Sequence, residues 1–384
     1  MVGGGPAGAA VAAHLARAGR EVVVFERLLR PRWRACGVYS SPLTRRRLAR
    51  LGLDGDQLAA LIQPIPQMVI RTAAGDARCR LDYPAPHQAC GLDRVRLEEA
   101  LLELIRRRGV AVFEGAVVRS VELGSQGARL DVSQSTGRST WRARVVVGAD
   151  GPTSVVARSA GVARGTPVFR RAALTGHRAV AAVDAQLIVA DGWYLGIAPV
   201  PGGRVNLGLV MSEAALRRQL NGGAPDDVVS EAVARAEPGG GLVDATRTDD
   251  VATHLPLLHR VTRAAGPSHV LVGDAAGFVD PISGEGMHRA LVSAELAAEA
   301  IDRTLAGDPV ALGEYDRHLR ARFRSKDVLS WALQLFLLQP WLARRALRRL
   351  DRDQEMAQTF AAALADRRTA SSVLDPRFVG RLLA

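Results

Sequence analysis

The sequence predicts an α/β fold in which a discontinuous α/β domain carries an inserted β-sheet domain and continues into a C-terminal helical region. A glycine-rich pattern of strand, helix and strand opens the chain, and further buried strands end in acidic turns near residues 145–151 and 269–274. Alternating strand patterns lie between these segments. The glycine-rich segment and the segments that end in acidic turns therefore enclose the alternating strands, which indicates an inserted domain.

The first eight residues contain a G-x-G-x-x-G run formed by Gly3, Gly5 and Gly8, and the β-branched run that follows the first helix ends in Glu26. The first glycine permits a tight turn, the second lets the backbone approach a pyrophosphate, and the third lets helix and strand pack closely. The helix N-terminus favours phosphates, and Glu26 stands where it would accept hydrogen bonds from ribose hydroxyls. The pattern predicts a Rossmann-like dinucleotide-binding unit; a glycine-rich turn in an unrelated fold is the alternative.

Only two residues precede Gly3, although the dinucleotide pattern requires a strand there. We therefore expect that the natural start lies a few residues upstream and that this chain lacks most of its first strand. The intact mass of protein from the native host tests this expectation.

The composition indicates a globular protein of 384 residues with 48% hydrophobic residues, long enough for two domains and an extension. The sequence shows no signal peptide and no apolar run long enough to cross a bilayer, so we expect a cytoplasmic location. Of the 51 basic residues only Lys326 is a lysine, and the net charge is +12. Because aromatic residues make up only 4%, nucleic-acid binding is not expected, whereas attraction to an anionic cofactor or a membrane surface fits the charge.

The three cysteines, Cys36, Cys79 and Cys90, lack the spacing of a zinc site and are too few for a disulfide framework. We therefore predict free thiols and no metal.

The predicted domain boundaries follow from the order of the patterns along the chain. An amphipathic helix over 93–108 and strands up to residue 147 belong with the opening unit, and helices extend beyond Pro309 with an interruption at Pro340. We assign residues 1–62, 90–160 and 262–325 to the cofactor domain, 63–89 and 161–261 to the substrate domain, and 326–384 to the C-terminal helical region.

Two further motifs follow buried strands in the middle and late parts of the chain. The first runs from Gly148 to Ser154 and places Asp150 at a strand end, where its carboxylate could reach ribitol hydroxyls. The second runs from Gly273 to Met287 and reaches a helix N-terminus through glycines, so that the backbone could approach a flat ring closely. Such a helix end stabilises negative charge on a reduced ring.

Together the three motifs resemble those of the FAD-dependent oxidoreductases with the p-hydroxybenzoate-hydroxylase fold, over roughly residues 1–305. Residues 280–286 (D-P-I-S-G-E-G) look most like the geranylgeranyl reductase branch, and Arg34-x-Cys36-Gly is also similar to that branch. The resemblance implies a discontinuous FAD-binding domain of the glutathione-reductase type. It assigns to FAD the following residues: Gly3, Gly5, Gly8 and Glu26 at the ADP half, Arg34 and Arg94 beside the cofactor, Asp150, Gly273 and Asp274 near the pyrophosphate and ribitol, and Gly284, Gly286 and Met287 at the isoalloxazine ring.

One strand departs from the reductase branch, which carries a Tyr-x-Trp-x-Phe-Pro pattern in its substrate domain. Here Tyr194 is followed by Gly196 and Ala198, which replace two large aromatic residues. The smaller side chains would enlarge the pocket that faces the flavin and favour a broader, ring-containing substrate over a polyprenyl chain. Flavin halogenases of the same superfamily need a catalytic lysine in the first third of the chain, so Lys326 does not fit halogenation.

Three residues are candidates for catalysis, each with a structural alternative. Cys36 could shield the flavin or donate a proton, or be a small buried residue. Tyr194 could act as an acid or an orienting hydroxyl, or be an aromatic residue of the sheet. His288 follows the Gly-Glu-Gly-Met turn and could donate a proton, or lie on the helix surface. Arg32 and Arg34 could pair with FAD phosphates or be ordinary solvated arginines.

Residues 328–342 are densely apolar and flanked by basic residues, but this stretch is too short to span a bilayer. The stretch has three interpretations: a peripheral membrane contact, a lid over a hydrophobic substrate tunnel, or a helix buried on the cofactor domain.

The sequence therefore predicts an FAD-dependent oxidoreductase that acts on a hydrophobic small molecule and most simply reduces a carbon–carbon double bond. The alternatives are a monooxygenase that hydroxylates an aromatic or polyketide-like compound through a flavin hydroperoxide, and a flavin electron-transfer or sensor protein. No second G-x-G-x-x-G follows a strand, so NAD(P)H would bind transiently as the reductant, or an external electron carrier would replace it.

Overall fold

The computed structural model describes residues 1–31, 33–165, 170–180, 183–237 and 240–384. Within these residues the helices are, in chain order, α1 (Pro6–Arg17), α2 (Leu43–Leu51), α3 (Gly55–Leu61), α4 (Arg94–Arg107), α5 (Val155–Ser159), α6 (Glu213–Gln219), α7 (Pro225–Ala236), α8 (Gly286–Leu305), α9 (Ala311–Leu338), α10 (Pro340–Arg352), α11 (Gln354–Leu364), α12 (Ser371–Leu374) and α13 (Pro376–Leu383). The strands are β1 (Val23–Glu26), β2 (Tyr39–Ser40), β3 (Ile62–Ile65), β4 (Gln67–Thr72), β5 (Arg78–Asp82), β6 (Ala89–Leu92), β7 (Ala111–Glu114), β8 (Val117–Gly124), β9 (Gly127–Gln134), β10 (Gly137–Ala143), β11 (Val146–Gly148), β12 (Ala163–Arg164), β13 (Arg171–Ala179), β14 (Ala185–Ala190), β15 (Trp193–Val200), β16 (Arg204–Ser212), β17 (Ala252–His254), β18 (Arg260–Val261), β19 (Ala265–Gly266) and β20 (His269–Leu271).

A parallel arrangement of short strands carries the three sequence motifs. β1 pairs in parallel with β7, and β11 pairs in parallel with β20. Val2 forms parallel bridges to both Phe25 and Gly148 and so joins the two pairs. The carboxyl ends of β1, β11 and β20 therefore reach the same edge, where doubly wound α/β proteins bind their ligands.

Helix α1 packs against this sheet and against α4 and α8. Its run of small residues from Ala9 to Ala13 is completely buried, so the neighbouring backbones approach closely. The predicted helix over 93–108 is observed as Arg94–Arg107, and the Asp93 side chain caps it by accepting a hydrogen bond from the backbone N–H of Arg96.

A seven-stranded sheet has the order β17-β13-β16-β15-β14-β4-β5 and is antiparallel except for the β14–β4 pair. β4 and β5 come from the segment before residue 90, and the other five strands come from after residue 161. β13 and β16 are buried almost continuously, which is the pattern of strands covered on both faces. The α/β class is confirmed, and the exact domain boundaries stay predictions.

The C-terminal region is helical, as expected, and Pro340 begins α10 directly after the 28-residue helix α9. Helices α10 and α11 pack against β5, so this region lies on the edge of the seven-stranded sheet. The three cysteines are free thiols, and burial raises the pKa of Cys79 and of Cys90 to about 12. None of the described helices has the length and apolar character needed to cross a membrane.

Candidate cofactor and substrate site

A cavity of about 1620 Å³ lies between the parallel strands, the seven-stranded sheet and the C-terminal helices. Most residues predicted to bind a dinucleotide line it: Gly3, Gly5, Glu26, Arg34, Arg94, Asp150, Gly273, Asp274, Gly284, Gly286 and Met287. The three separate motifs thus converge on one space. Gly8 is not among the described lining residues, and its role lies in packing.

The glycine run forms the start of α1 at one end of the cavity. Gly5 is the N-cap of α1 and no side chain caps the helix, so its first N–H groups remain available to an anion. Gly3 has a φ of +99°, which side chains rarely tolerate. A Cβ on Gly8 would lie 2.1 Å from the Gly3 carbonyl oxygen, so only glycine permits this contact between helix and turn.

Glu26 ends β1 beside the glycine run and is buried. Its Oε2 accepts a hydrogen bond from the Gly4 N–H at 2.7 Å, and its Oε1 accepts one from the Leu28 N–H at 3.0 Å. These two bonds fix the carboxylate at the cavity wall, and each oxygen retains a lone pair for a ribose hydroxyl.

Two arginines share one buried carboxylate next to Gly5. Nη2 of Arg34 and Nη2 of Arg94 donate to Glu98 at 2.9 and 2.5 Å. Burial opposes ionisation of Glu98, but the two guanidinium groups outweigh it and lower its pKa. The cluster therefore holds one net positive charge, and an Arg34 nitrogen lies 3.8 Å from the position of a Cβ on Gly5. A pyrophosphate at α1 would meet this charge.

Only one oxygen of the Asp150 carboxylate has a hydrogen-bond partner among the described residues. Its Oδ2 accepts a hydrogen bond from the Val155 N–H at 2.7 Å, whereas its Oδ1 is buried without a partner in the structure. Burial raises the pKa of Asp150 and also of Asp274, which lines the same part of the cavity. An unpaired buried acceptor is costly, and a hydroxyl donor from a bound ligand would satisfy it. This orphaned oxygen, the uncapped helix and the arginine cluster fit a dinucleotide with phosphates and hydroxyl groups.

The late motif closes the cavity wall at the start of α8. Gly284 has a φ of +65°, and a Cβ there would lie 2.3 Å from a ring carbon of Tyr39. Glu285 is the N-cap but its side chain does not cap the helix, so the first N–H groups of α8 are open to the cavity beside Gly286 and Met287. A flat ring can approach this backbone, and the helix end favours negative charge on it.

The structure corrects the expectation that His288 lies at the cofactor. His288 is not among the described residues that line the cavity; its side chain is fully buried, and its Nε2 lies 2.9 Å from Asp366 Oδ2. Although burial opposes it, hydrogen bonds from His288 and Arg322 lower the pKa of Asp366. Successive helical residues lie about 100° apart around the axis, so Met287 meets the cavity while His288 faces the C-terminal helices.

Lys326 joins the same group of charges. Its Nζ donates to Glu285 Oε1 at 3.0 Å and to the carbonyl oxygens of Ala363 and Leu364 at 2.7 and 3.2 Å. It is the sole lysine of the sequence, it is buried, and it ties the late motif to the end of α11. Sequence patterns predict no role for this lysine, because its partners lie 37 to 41 residues away along the chain.

Tyr194 and Cys36 both line the cavity. The Tyr194 hydroxyl donates to Asp280 Oδ1 at 2.5 Å, and burial raises the pKa of both groups. The Sγ of Cys36 lies 3.6 Å from Nη1 of Arg94, and its backbone N–H donates to the Thr175 hydroxyl at 3.2 Å. Arg32 lies outside the described residues.

Beyond Tyr194 the cavity becomes apolar. Gly196 and Gly208 face each other on β15 and β16, and both line the cavity with no atom closer than 3.8 Å to a Cβ on either. Apolar side chains from β4, β14 and the C-terminal helices continue the wall, among them Ile70, Leu187, Leu333, Phe336, Leu347, Phe360, Leu374, Phe378 and Leu382. The two ends of the cavity thus differ in chemistry: we call them the dinucleotide end and the apolar end.

The family of the chain is shown by comparison with known proteins. The model of an FAD binding domain matches residues 1–325. A menaquinone reductase of Mycolicibacterium smegmatis is 30% identical over 78% of this chain and 75% of its own. A digeranylgeranylglycerophospholipid reductase of Methanoculleus marisnigri is 27% identical over 84% and 81%.

Two solved structures share the fold. A geranylgeranyl bacteriochlorophyll reductase-like protein from Thermoplasma acidophilum superposes with a TM-score of 0.79 at 20% identity, covering 97% of each chain. The flavin-dependent halogenase CmlS gives a TM-score of 0.75 at 25% identity, covering 84% of this chain but 62% of its own length. The cavity geometry and these relatives agree, and the resemblance drawn from the motifs is confirmed. The chain belongs to the family with this FAD binding domain and is an FAD-dependent oxidoreductase.

Proposed function

We propose that this enzyme reduces a carbon–carbon double bond in a long hydrophobic molecule. The observation that carries the proposal is the apolar end of the cavity, which continues from Tyr194 past Leu333 and Phe336 to the C-terminal helices. The cavity volume of about 1620 Å³ exceeds the range of ligand pockets, roughly 300–1,000 Å³. It is large enough for a cofactor and a second molecule together.

The names of two relatives support a lipid substrate, since one is a menaquinone reductase and the other a digeranylgeranylglycerophospholipid reductase. Both names denote molecules with a large apolar part, which would fit the apolar end. The sole lysine, Lys326, lies outside the first third of the chain and is held in a buried ion pair with Glu285, which favours the reductase side of the family over the halogenases.

Reduced FAD bound at the glycine motifs would supply a hydride to one carbon of the double bond, and the other carbon then needs a proton. The protein must then deliver a proton to the substrate carbon. Tyr194 is the first candidate donor, because its hydroxyl lies in the cavity wall and is hydrogen-bonded at 2.5 Å to the Asp280 carboxyl group, with which it can exchange a proton. Cys36 lies beside Arg94 and is the second candidate donor.

We also propose that NAD(P)H is the reductant that supplies electrons to FAD. NAD(P)H would bind transiently, because the chain has no second dinucleotide motif, and an external electron carrier is the alternative.

A monooxygenase is the second candidate function, and one observation favours it. The facing pair Gly196 and Gly208 leaves a flat, open patch of sheet that would accommodate a ring system. The ring of a quinone would fit the same patch, and the products of the two reactions distinguish them.

Anaerobic reduction of the FAD-loaded protein followed by mixing tests the proposal. Mixed with geranylgeraniol or menaquinone without oxygen, the reduced protein should regain its oxidised visible spectrum while the substrate loses one carbon–carbon double bond. Mixed with air alone, it should reoxidise slowly. Rapid reoxidation by air together with a hydroxylated product would instead establish the monooxygenase, and reoxidation only by another redox protein would establish electron transfer.

The Tyr194→Phe variant tests the proton donor. Reduction of FAD should be unchanged, whereas saturation of the double bond should slow by about 100-fold, as expected for loss of a general acid. An unchanged rate would assign the proton to Cys36 or to water.

A further inference from the structure

The end of α9 and the start of α10 form an exposed apolar surface. Val328, Leu335 and Leu338 lie at helical spacing on one face of α9 and are 49%, 55% and 48% exposed. Trp341, in the first turn of α10, is 60% exposed. Four large apolar side chains close together in the chain and open to solvent mark an interaction site more often than isolated exposed residues do. We call these four residues the elbow surface.

The elbow surface lies at the apolar end of the cavity. Leu335 belongs both to this surface and to the cavity wall, and Leu342, next to Trp341, also lines the cavity. The neighbouring residues Leu333 and Phe336 line the cavity from the same helix. A hydrophobic molecule at this surface would therefore be directly at the cavity wall.

Positive charge flanks the elbow surface. Arg324 is exposed one turn before Val328, and Arg344 and Arg348 are exposed on α10 while sharing the single carboxylate of Asp76 at 3.2 and 3.4 Å. Residues 326–384 carry ten basic and six acidic side chains, a formal charge of +4. Exposed aromatic and aliphatic residues with a basic rim are the composition of a surface that inserts into the headgroup region of an anionic bilayer.

We infer that the elbow surface docks this protein on the surface of an anionic phospholipid bilayer, with the apolar end of the cavity next to the lipid. Trp341 and the leucines would enter the boundary between headgroups and acyl chains, and the arginines would contact lipid phosphates. None of the described helices can cross a bilayer, so the contact is peripheral. A hydrophobic substrate would then pass from the lipid to the apolar end without crossing water. The inference goes beyond the proposed reaction, because membrane docking does not depend on which chemistry FAD performs.

Flotation of the full-length, FAD-loaded protein with vesicles tests the inference. We expect binding to phosphatidylcholine vesicles that contain phosphatidylglycerol, weaker binding to phosphatidylcholine alone, and weakening at high salt because charges at the membrane surface are screened. The Leu338→Ser/Trp341→Ser double variant should bind the mixed vesicles about tenfold more weakly, since it loses most of the exposed apolar area.

A matched control is available on the same helix. Val310 is the N-cap residue of α9 and is 58% exposed; by the helical rise it lies about 27 Å from Val328, the nearest elbow residue on the helix, and about 42 Å from Leu338. Val310→Ser should bind vesicles like the parent protein. Neither Leu338 nor Trp341 is among the described cavity-lining residues, so the double variant should keep its FAD content.

Three results would overturn the inference. The parent protein could fail to bind mixed vesicles, or the double variant could bind them as well as the parent does. A third contrary result is a dimer in solution that the double variant converts to a monomer, without vesicle binding by either, because a second copy of the chain would then cover the elbow surface. Failure of the alkene reduction experiment with intact vesicle binding would refute the proposed reaction alone.

Discussion

The two ends of the cavity are built in opposite ways. The dinucleotide end consists mainly of backbone N–H groups and a few fixed charges from three short motifs, with Gly3, Gly5 and Asp150 among them. The apolar end consists of side chains from two strands and several helices far apart in the chain. A pyrophosphate needs donors at fixed positions, so the spacing of residues is strictly constrained. An apolar chain needs only volume and the absence of polar groups, which many sequences provide.

The largest effect is expected from a substitution at the dinucleotide end. Gly8→Ala places a Cβ 2.1 Å from the Gly3 carbonyl oxygen, so helix and turn must separate. We expect a loss of stability above about 4 kcal/mol or protein purified without FAD, measured by thermal unfolding and visible absorbance. Gly313→Ala is the control, because it lies in α9 with no atom within 4 Å of the new Cβ and should be neutral or slightly stabilising. A coloured, stable Gly8→Ala protein would contradict the role assigned to this contact.

The next effect concerns the link between the two ends. Lys326→Met leaves the buried carboxylate of Glu285 without its cation and removes donors from two carbonyl groups at the end of α11. Removing one partner of a buried ion pair costs about 3 kcal/mol or more, to be measured by denaturant unfolding. Arg324→Met, at an exposed position of the same helix, should change stability by less than about 0.5 kcal/mol. Equal effects of the two substitutions would show that the buried network does not hold the helices.

A smaller effect is expected from a substitution at the apolar end. Gly196→Phe should fill the open patch opposite Gly208 and leave the FAD content unchanged. We expect menaquinone to bind about tenfold more weakly, which corresponds to about 1.4 kcal/mol, and geranylgeraniol to bind nearly as before. Isothermal titration of the two ligands measures the difference. Equal weakening of both would mean that ring and chain occupy the same space.

The smallest effect is a pH dependence within the cofactor domain. Both ring nitrogens of His269 on β20 are buried with no hydrogen-bond partner among the described residues, and burial lowers the pKa of His269 from 6.5 to about 4. In the unfolded chain the ring binds a proton below its ordinary pKa, whereas in the folded protein it stays neutral, so stability falls as the pH decreases from 6.5 towards 4. The loss from this group between about pH 7 and about pH 5.5 is roughly 1 kcal/mol.

The His269→Phe variant should lose less stability over that interval than the parent protein does, as measured by thermal unfolding at both pH values. Parallel pH profiles of the two proteins would contradict the assignment to His269.

The sequence was informative where the constraint is local. Gly3, Gly8 and Glu26 lie within one strand–helix–strand unit, so their spacing alone predicts a nucleotide site. Glu98 was missed as a site residue because its importance depends on Arg34, 64 residues earlier in the chain. The His288 assignment failed because closeness in sequence to a glycine turn does not give the direction of a helical side chain.

The apolar end could be predicted only in part. The apolar density of residues 328–342 predicted a helix with a hydrophobic role, but membrane contact, lid and buried helix were indistinguishable in sequence. The structure shows that one helix presents Gln334 to the interior, Leu333 to the cavity and Leu338 to solvent. Which face of a helix meets solvent, cavity or interior depends on the elements that pack against it, and the sequence of the helix alone does not specify those elements.

A crystal structure of the FAD-loaded protein with geranylgeraniol would show directly how cofactor and substrate share the cavity. The account predicts the FAD phosphates at the start of α1, the isoalloxazine ring beside Gly286 and Met287, and the prenyl chain along Leu333 and Phe336. An isoalloxazine ring bound elsewhere, or a prenyl chain outside the apolar end, would contradict the division of one cavity between cofactor and substrate.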